Sequence, residues 1–146
     1  NNSLEDLLYY IRSYAAKYCE ENGLAYKINI PENIPARMIS GEMRRHLFLT
    51  VKESLHNVVK HAEAKNVWLS VQSDNFITIT IRDDGKGFDA TELRNTGNGL
   101  RNMEQRIKTL NGKLLIVRKD SPKESLTFGE NTKGTLLKIV VPLPIS

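Results

Sequence analysis

Four short groups of residues in this sequence have types and spacings that could do chemistry. The first is Glu53, Asn57, Lys60 and His61. On a helix these i, i+4, i+7 and i+8 positions share one face. Carboxylate and amide groups supply the hard oxygen ligands, or hold the waters, that Mg²⁺ takes. Lys60 offers a point positive charge suited to phosphate. His61 can donate to a phosphate or stack near a base. Taken alone, the row reads more simply as the solvated face of an amphipathic helix.

The second group is Asp83-Asp84-Gly85-Lys86-Gly87-Phe88, which follows an apolar run directly. A carboxylate at a strand end can accept a hydrogen bond from an exocyclic amine. Gly85 and Gly87 would let a ligand approach the backbone closely, although an Asp-Gly turn explains them as well. The third is Gly97-Asn98-Gly99-Leu100, ahead of a helical pattern. Free amides at a helix N-terminus bind phosphate through hydrogen bonds and the helix dipole; an ordinary loop and helix start would look the same. The fourth is Lys133-Gly134-Thr135, entering an apolar strand, where a threonine is more often simply a β-former.

The elements that must position these groups follow from periodicity. Leu4, Leu7, Leu8, Ile11, Tyr14, Ala15 and Tyr18 recur at helical spacing and predict a helix over 3–22, with Ser3 as its cap and Gly23 as its stop. Alternation over 24–30 predicts a strand. A longer helix is expected over 40–61, capped by Ser40, with Met43, Leu47, Val51, Leu55 and Val58 as its core stripe. Strands over 66–72 and 76–82 flank a short turn. Residues 83–96 read as glycine-rich and irregular, 99–110 as a helix closed by Asn111-Gly112, and 113–118 and 134–141 as strands joined by a polar loop over 121–133. This order predicts an α+β fold: one mixed, mostly antiparallel sheet with helices on one face, a two-layer α/β sandwich.

The bulk properties narrow the function classes. The chain has 146 residues, 40% of them hydrophobic and 26% charged, which suits one soluble domain with its own core. The excess of 21 Lys+Arg over 17 Asp+Glu is modest and dispersed, so it fits a nucleotide as well as any larger polyanion, and no nucleic-acid surface is expected. No apolar run approaches the roughly 18 residues of a membrane span, and no signal peptide opens the sequence. The lone Cys19 reads as a packing residue in a reducing compartment. No Walker loop and no Gly-x-Gly-x-x-Gly turn is present, so neither a P-loop nor a dinucleotide-binding turn accounts for the glycines.

Each group is weak alone, but their conjunction in this order is specific. Glu53-x-x-x-Asn57-x-x-Lys60-His61, Asp83-x-Gly85-x-Gly87, Gly97-x-Gly99-Leu100 and Gly134-Thr135 together resemble the nucleotide-binding signature of the GHKL superfamily, over roughly residues 43–143. That superfamily holds gyrase-type ATPases, heat-shock chaperones, histidine kinases and mismatch-repair ATPases. The segments ESLHNVVKHAEA, GNGLRNMEQR and KINIPENIP are similar to histidine kinases of the nitrate-sensor type.

The resemblance implies a single ATP-binding catalytic domain over 1–146 with a Bergerat-type fold: a helix-and-strand lead-in over 1–40 and a nucleotide-binding core over 41–143. It implies Mg²⁺ at Asn57 and Glu53, phosphate contacts from Lys60, and His61 beside them. Adenine would be read by Asp83, with Thr135 assisting and Gly85 and Gly87 forming the base-pocket turn. Gly97, Gly99 and Leu100 match the glycine box behind a short lid. Asp84 falls at a variable position. Glu53 is the catalytic candidate, as a general base or as a holder of metal-bound water. Arg94 in the lid reads as solvated rather than as a phosphate contact.

None of His46, His56 and His61 precedes an acidic residue, so none matches the family's phospho-acceptor. The chain is therefore expected to be a cytoplasmic fragment of a sensor that binds ATP and donates the γ-phosphate in two-component signalling. Its partners would be a histidine-bearing dimerisation domain and a response regulator, with no direct membrane contact. Alternatives are an anti-sigma-factor-type serine/threonine kinase and a nucleotide-binding scaffold without catalysis.

Overall fold

The computed structural model describes residues 2–118 and 133–144. Most of the loop expected over 121–133 lies outside these described residues. Helix α1 spans Leu4–Glu21, strand β1 Ala25–Asn29, helix α2 Gly41–Asn57, β2 Asn66–Ser73 and β3 Phe76–Asp83. A short helix α3 covers Ala90–Arg94, α4 covers Gly99–Thr109, and β4 and β5 cover Lys113–Arg118 and Thr135–Pro142.

The helices start where their caps sit. The Ser3 hydroxyl accepts from the Asp6 amide at 3.1 Å, and Ser40 accepts from Met43 at 3.0 Å. Each satisfies one of the free amides of a first helical turn. The expected stripe of α2 is buried as Met43, Leu47, Val51 and Leu55, and Leu4, Leu7, Leu8 and Ile11 of α1 pack into the same core.

The five strands form one sheet in the order β1-β2-β3-β5-β4. Only β1 and β2 run parallel; the other three pairings are antiparallel. The sheet is therefore mixed and mostly antiparallel, and its period of two decides which side chains meet the helices. Val67, Leu69 and Val71 of β2, Ile77, Ile79 and Ile81 of β3, and Leu137, Ile139 and Val141 of β5 all face the buried layer. Met103 and Ile107 of α4 close that core from the other side. This is the α+β sandwich expected from the sequence.

Three local features depart from the expected elements. The helix expected to run unbroken to His61 changes winding, so that Val58–Ala62 forms one π-helical turn. The segment read as irregular holds α3, capped by Asp89, whose carboxylate accepts from the Glu92 amide at 2.8 Å. The strand expected over 24–30 is shorter and lies at the sheet edge, with mostly exposed side chains. Cys19 is buried, and burial pushes its thiol up to about 11, which agrees with a packing role.

Candidate functional site

The wide π turn is stitched to the loop after β3. The amide of Lys86 donates to the carbonyl of Ala62 at 2.7 Å. Gly85 lies so close that an added Cβ would stand 2.0 Å from the same carbonyl oxygen. Only a residue without a side chain allows this approach, so Gly85 joins the end of α2 to the Asp83 corner. A π turn inside an α-helix often marks a functional position, and here it carries both Lys60 and His61.

A cavity of about 180 Å³ opens beside that turn. Glu53, Asn57, Lys60 and His61 line it from the α2 side, and Gly99 and Leu100 from the start of α4. The first and third sequence groups are thus brought together. Leu93, Thr96 and Asn98 also line the cavity. They carried no sequence signal of their own beyond standing in or beside the glycine box. No side chain caps the N-terminus of α4, so its leading amides sit at the cavity wall as anion donors. A Cβ on Gly99 would lie 3.1 Å from the Glu53 carboxyl carbon, which sets that carboxylate directly against the helix start.

Asn57 is only 6% exposed, and its Nδ2 has no hydrogen-bond partner among the described residues. A buried amide left so costs about 1–3 kcal/mol, and an oxygen-rich ligand in the cavity would satisfy it. No three His, Cys, Asp or Glu side chains gather to hold a metal among the described residues. Asn57 and Glu53 could supply one or two ligands to a hard cation whose remaining ligands came from phosphate oxygens and water, which is the usual arrangement for Mg²⁺.

Asp83 stands at the end of β3 and is 1% exposed. One carboxylate oxygen, Oδ1, accepts from the Gly85 amide at 2.8 Å, while Oδ2 is buried without a hydrogen-bond partner among the described residues. Burial pushes its carboxyl up to about 6; the nearby Asp84 charge adds to this, and the amides of Gly85 and Thr135 oppose it. Asp83 does not line the 180 Å³ cavity itself. Phe88 is buried, with its ring 6.0 Å from that of the cavity residue His61. Asn57 and Ala62 are five residues apart on the helix, roughly 7 Å along its axis, and Gly85, next but one to Asp83, lies against Ala62.

The neighbouring acid has a different task. The Asp84 carboxylate accepts from the amides of Lys65 and Asn66 at 2.9 and 2.8 Å and from the Asn66 side chain at 2.7 Å. Burial alone would push its carboxyl up, but these donors outweigh it and hold the group below its usual value. Asp84 is a staple between β2 and β3.

Thr135 is buried, and its hydroxyl accepts from the Phe88 amide at 2.9 Å. Its side chain therefore anchors the end of the glycine turn, and its backbone amide is what faces Asp83. Gly134 is pressed against the Asp83 carbonyl. Gly87 packs on Arg118, whose guanidinium pairs with Glu92 of α3 at 2.8 Å. Gly97, of the glycine box, is exposed and does not line the cavity. Arg94 makes a two-pronged ion pair with Glu104 at 3.0 and 2.9 Å, pinning α3 to α4. It is thus exposed, as expected, and latched rather than free.

Comparison with known proteins fits this geometry. The DegS signal transduction histidine-protein kinase/phosphatase of Brevibacillus brevis is 37% identical over 83 residues, covering 56% of this chain and 21% of DegS. The nitrate/nitrite sensor protein NarX of Escherichia coli strain K12 is 28% identical over 106 residues, covering 70% of this chain and 18% of NarX. The chain thus spans about a fifth of the length of these curated relatives. Full-length ShkA, solved in complex with AMPPNP, superposes with a TM-score of 0.71 at 17% identity, over 98% of this chain and 30% of ShkA, which speaks to the fold. The profile of one family matches residues 42–145, well over half of the sequence, and the chain belongs to that family: the histidine kinase-, DNA gyrase B- and HSP90-like ATPases.

Proposed function

We propose that this domain holds Mg-ATP and donates the γ-phosphoryl group to a histidine on a separate dimerisation domain, upstream of a response regulator. The observation that carries this reading is that Asn57 Nδ2, lining the cavity, and Asp83 Oδ2, at the end of β3, are both buried without a hydrogen-bond partner among the described residues. The Asp83 Oδ2 is an acceptor fit for the exocyclic amine of adenine. The polar cavity at Asn57 is fit for a triphosphate. The kinase activity and nucleotide complex of the relatives support the same assignment.

Phosphoryl transfer needs little covalent help from a protein; positioning and charge stabilisation supply most of the effect. Lys60 and the first amides of α4 would neutralise phosphate oxygens. Asn57 would help hold a bound cation, which would offset the charge of the phosphate groups. A ring nitrogen of the acceptor histidine attacks phosphorus, the bond to the β-phosphate oxygen breaks, and ADP leaves. The proton on the acceptor's other ring nitrogen then needs an oxygen to receive it. Glu53 is the carboxylate lining the cavity, and it fills this role or holds a metal-bound water. His46, His56 and His61 all lie on α2 or its π turn, and His56 bonds the Tyr14 hydroxyl at 3.2 Å. The acceptor is assigned to another domain on these grounds.

Calorimetric titration with ATP, with and without Mg²⁺, tests the assignment. The parent chain should bind ATP at least about tenfold more tightly with Mg²⁺. Asn57→Ala should lose most of that gain while keeping its affinity for adenosine. Full Mg²⁺ dependence in Asn57→Ala would remove Asn57 from the metal site.

A further inference from the structure

Glu53 lines two openings. Besides the cavity beside the π turn, it lines a cleft of about 210 Å³ together with Leu49, Lys52 and His56 of α2 and Arg106 of α4. Leu49, Lys52, Glu53 and His56 stand at i, i+3, i+4 and i+7, so they share one face of α2. Among the described residues, Glu53 is the only acid that lines either opening. The cavity and the cleft therefore meet at one carboxylate.

The charges of the cleft are not balanced. Lys52 and Arg106 are both half-buried. Neither side chain makes an ion pair or a hydrogen bond among the described residues, and Glu53 pairs with neither. Two cations against one acid leave the cleft positive. Its wall is held in place from α1: His56 Nε2 bonds the Tyr14 hydroxyl at 3.2 Å, and the Tyr18 ring lies 4.8 Å from that imidazole. Half-burying a cation without a partner costs solvation that the fold does not recover. A carboxylate from outside would recover it through charge-assisted hydrogen bonds. A site whose wall is already fixed loses little order on binding.

We propose that this cleft receives an acidic side chain of the domain that carries the acceptor histidine, and that the contact seats the acceptor next to Glu53. The inference rests on the proposed function. Glu53 precedes Ala62, the residue against Gly85, by nine positions, roughly 13 Å along the helix. A nucleotide with its base at Asp83 would thus extend its phosphates toward Glu53. An acceptor ring coming to the γ-phosphate meets that carboxylate, and the cleft lies on its other side. An acid held between Lys52 and Arg106 would fix the acceptor's helix, with Leu49 beneath its apolar side. Lys52 and Arg106 act as positioning residues and touch neither ATP nor the transferred group.

The probe is a rhodamine-labelled synthetic helical peptide with one histidine and glutamates one turn to either side; in its control the glutamates are glutamines. By fluorescence anisotropy the glutamate peptide should bind the parent chain saturably, and the glutamine peptide at least about tenfold more weakly. The double variant Lys52→Gln with Arg106→Gln should weaken glutamate-peptide binding about tenfold and leave ATP affinity unchanged. The double variant Lys52→Arg with Arg106→Lys keeps both charges and should stay within about threefold of the parent. Should the glutamine double variant fail to fold, Lys52→Gln alone should weaken binding about threefold. No saturable binding, equal binding of the two peptides, or a glutamine variant that binds as the parent does would overturn the proposal. So would self-association in sedimentation that Lys52→Gln abolishes. An ATP titration of the parent chain separates the two readings. ATP bound with no peptide bound sinks this inference alone, while no ATP bound removes the proposed function with it.

Discussion

Asp83→Asn is expected to bind Mg-ATP about a hundredfold more weakly than the parent chain while resisting heat better at neutral pH. The binding loss follows from geometry. The Oδ2 atom of Asp83 is buried and has no hydrogen-bond partner among the described residues, and the asparagine nitrogen in its place would set donor against donor at the adenine amine. Losing a charge-assisted hydrogen bond in a desolvated site costs on the order of 2–3 kcal/mol. The stability gain follows from the carboxyl's position at about 6, against an ordinary value of 3.8. The unfolded chain releases this proton at lower pH than the folded chain does. Stability therefore falls as pH rises through that window, by on the order of 3 kcal/mol once both states are ionised. An asparagine removes the buried charge. Melting curves at pH 7.5 and 4.5 check this: the variant's advantage should shrink at the lower pH. Nucleotide affinity of the parent should fall below about pH 6, and the variant should lack that dependence. A variant that binds normally, or melts lower at pH 7.5, would remove Asp83 from the adenine pocket.

Gly134→Ala should be the most destabilising single-methyl change in the site. Gly134 has φ of +138°, a region closed to side chains, and an added Cβ would stand 1.8 Å from the Asp83 carbonyl oxygen. The obstruction is backbone, so no rotamer relieves it. The pairing of β3 with β5 would have to open near Arg82 and Leu136, and Asp83 would move with it. A loss of about 3 kcal/mol or more is expected, together with loss of ATP binding. Gly97→Ala is the control. Gly97 has a similar φ of +134° but nothing within 4 Å of its added Cβ, so it should suffer strain alone and a clearly smaller drop in melting temperature. Equal melting temperatures for the two variants would mean that the contact with Asp83 is not tight.

The elements were legible where side-chain period and burial agree. The stripe Leu4, Leu7, Leu8, Ile11 and the alternation of β3 need only local rules, and the structure buries those residues. Ser3 and Ser40 were readable as caps for the same reason. The π turn was not legible, because what holds it is a bond from Lys86 to Ala62 across two elements. Helix α3 is only five residues long, yet Asp89 followed by Glu92 was a cap signal that the surrounding glycines obscured. The hydroxyl of Thr135 answers to Phe88, and Arg94 to Glu104. Such pairings depend on the tertiary path and leave no spacing to read. The four sequence groups could be ordered along the chain, but only the fold brings Glu53 against Gly99 and Gly85 against Ala62.

The most direct test compares ATP with inosine triphosphate by calorimetry on the parent chain in Mg²⁺. The two share a triphosphate and ribose and differ at the exocyclic group that Asp83 is assigned to read. ATP should bind at least about fiftyfold more tightly. Equal affinities would separate Asp83 from the base and break the link between the glycine turn and the α2 cavity.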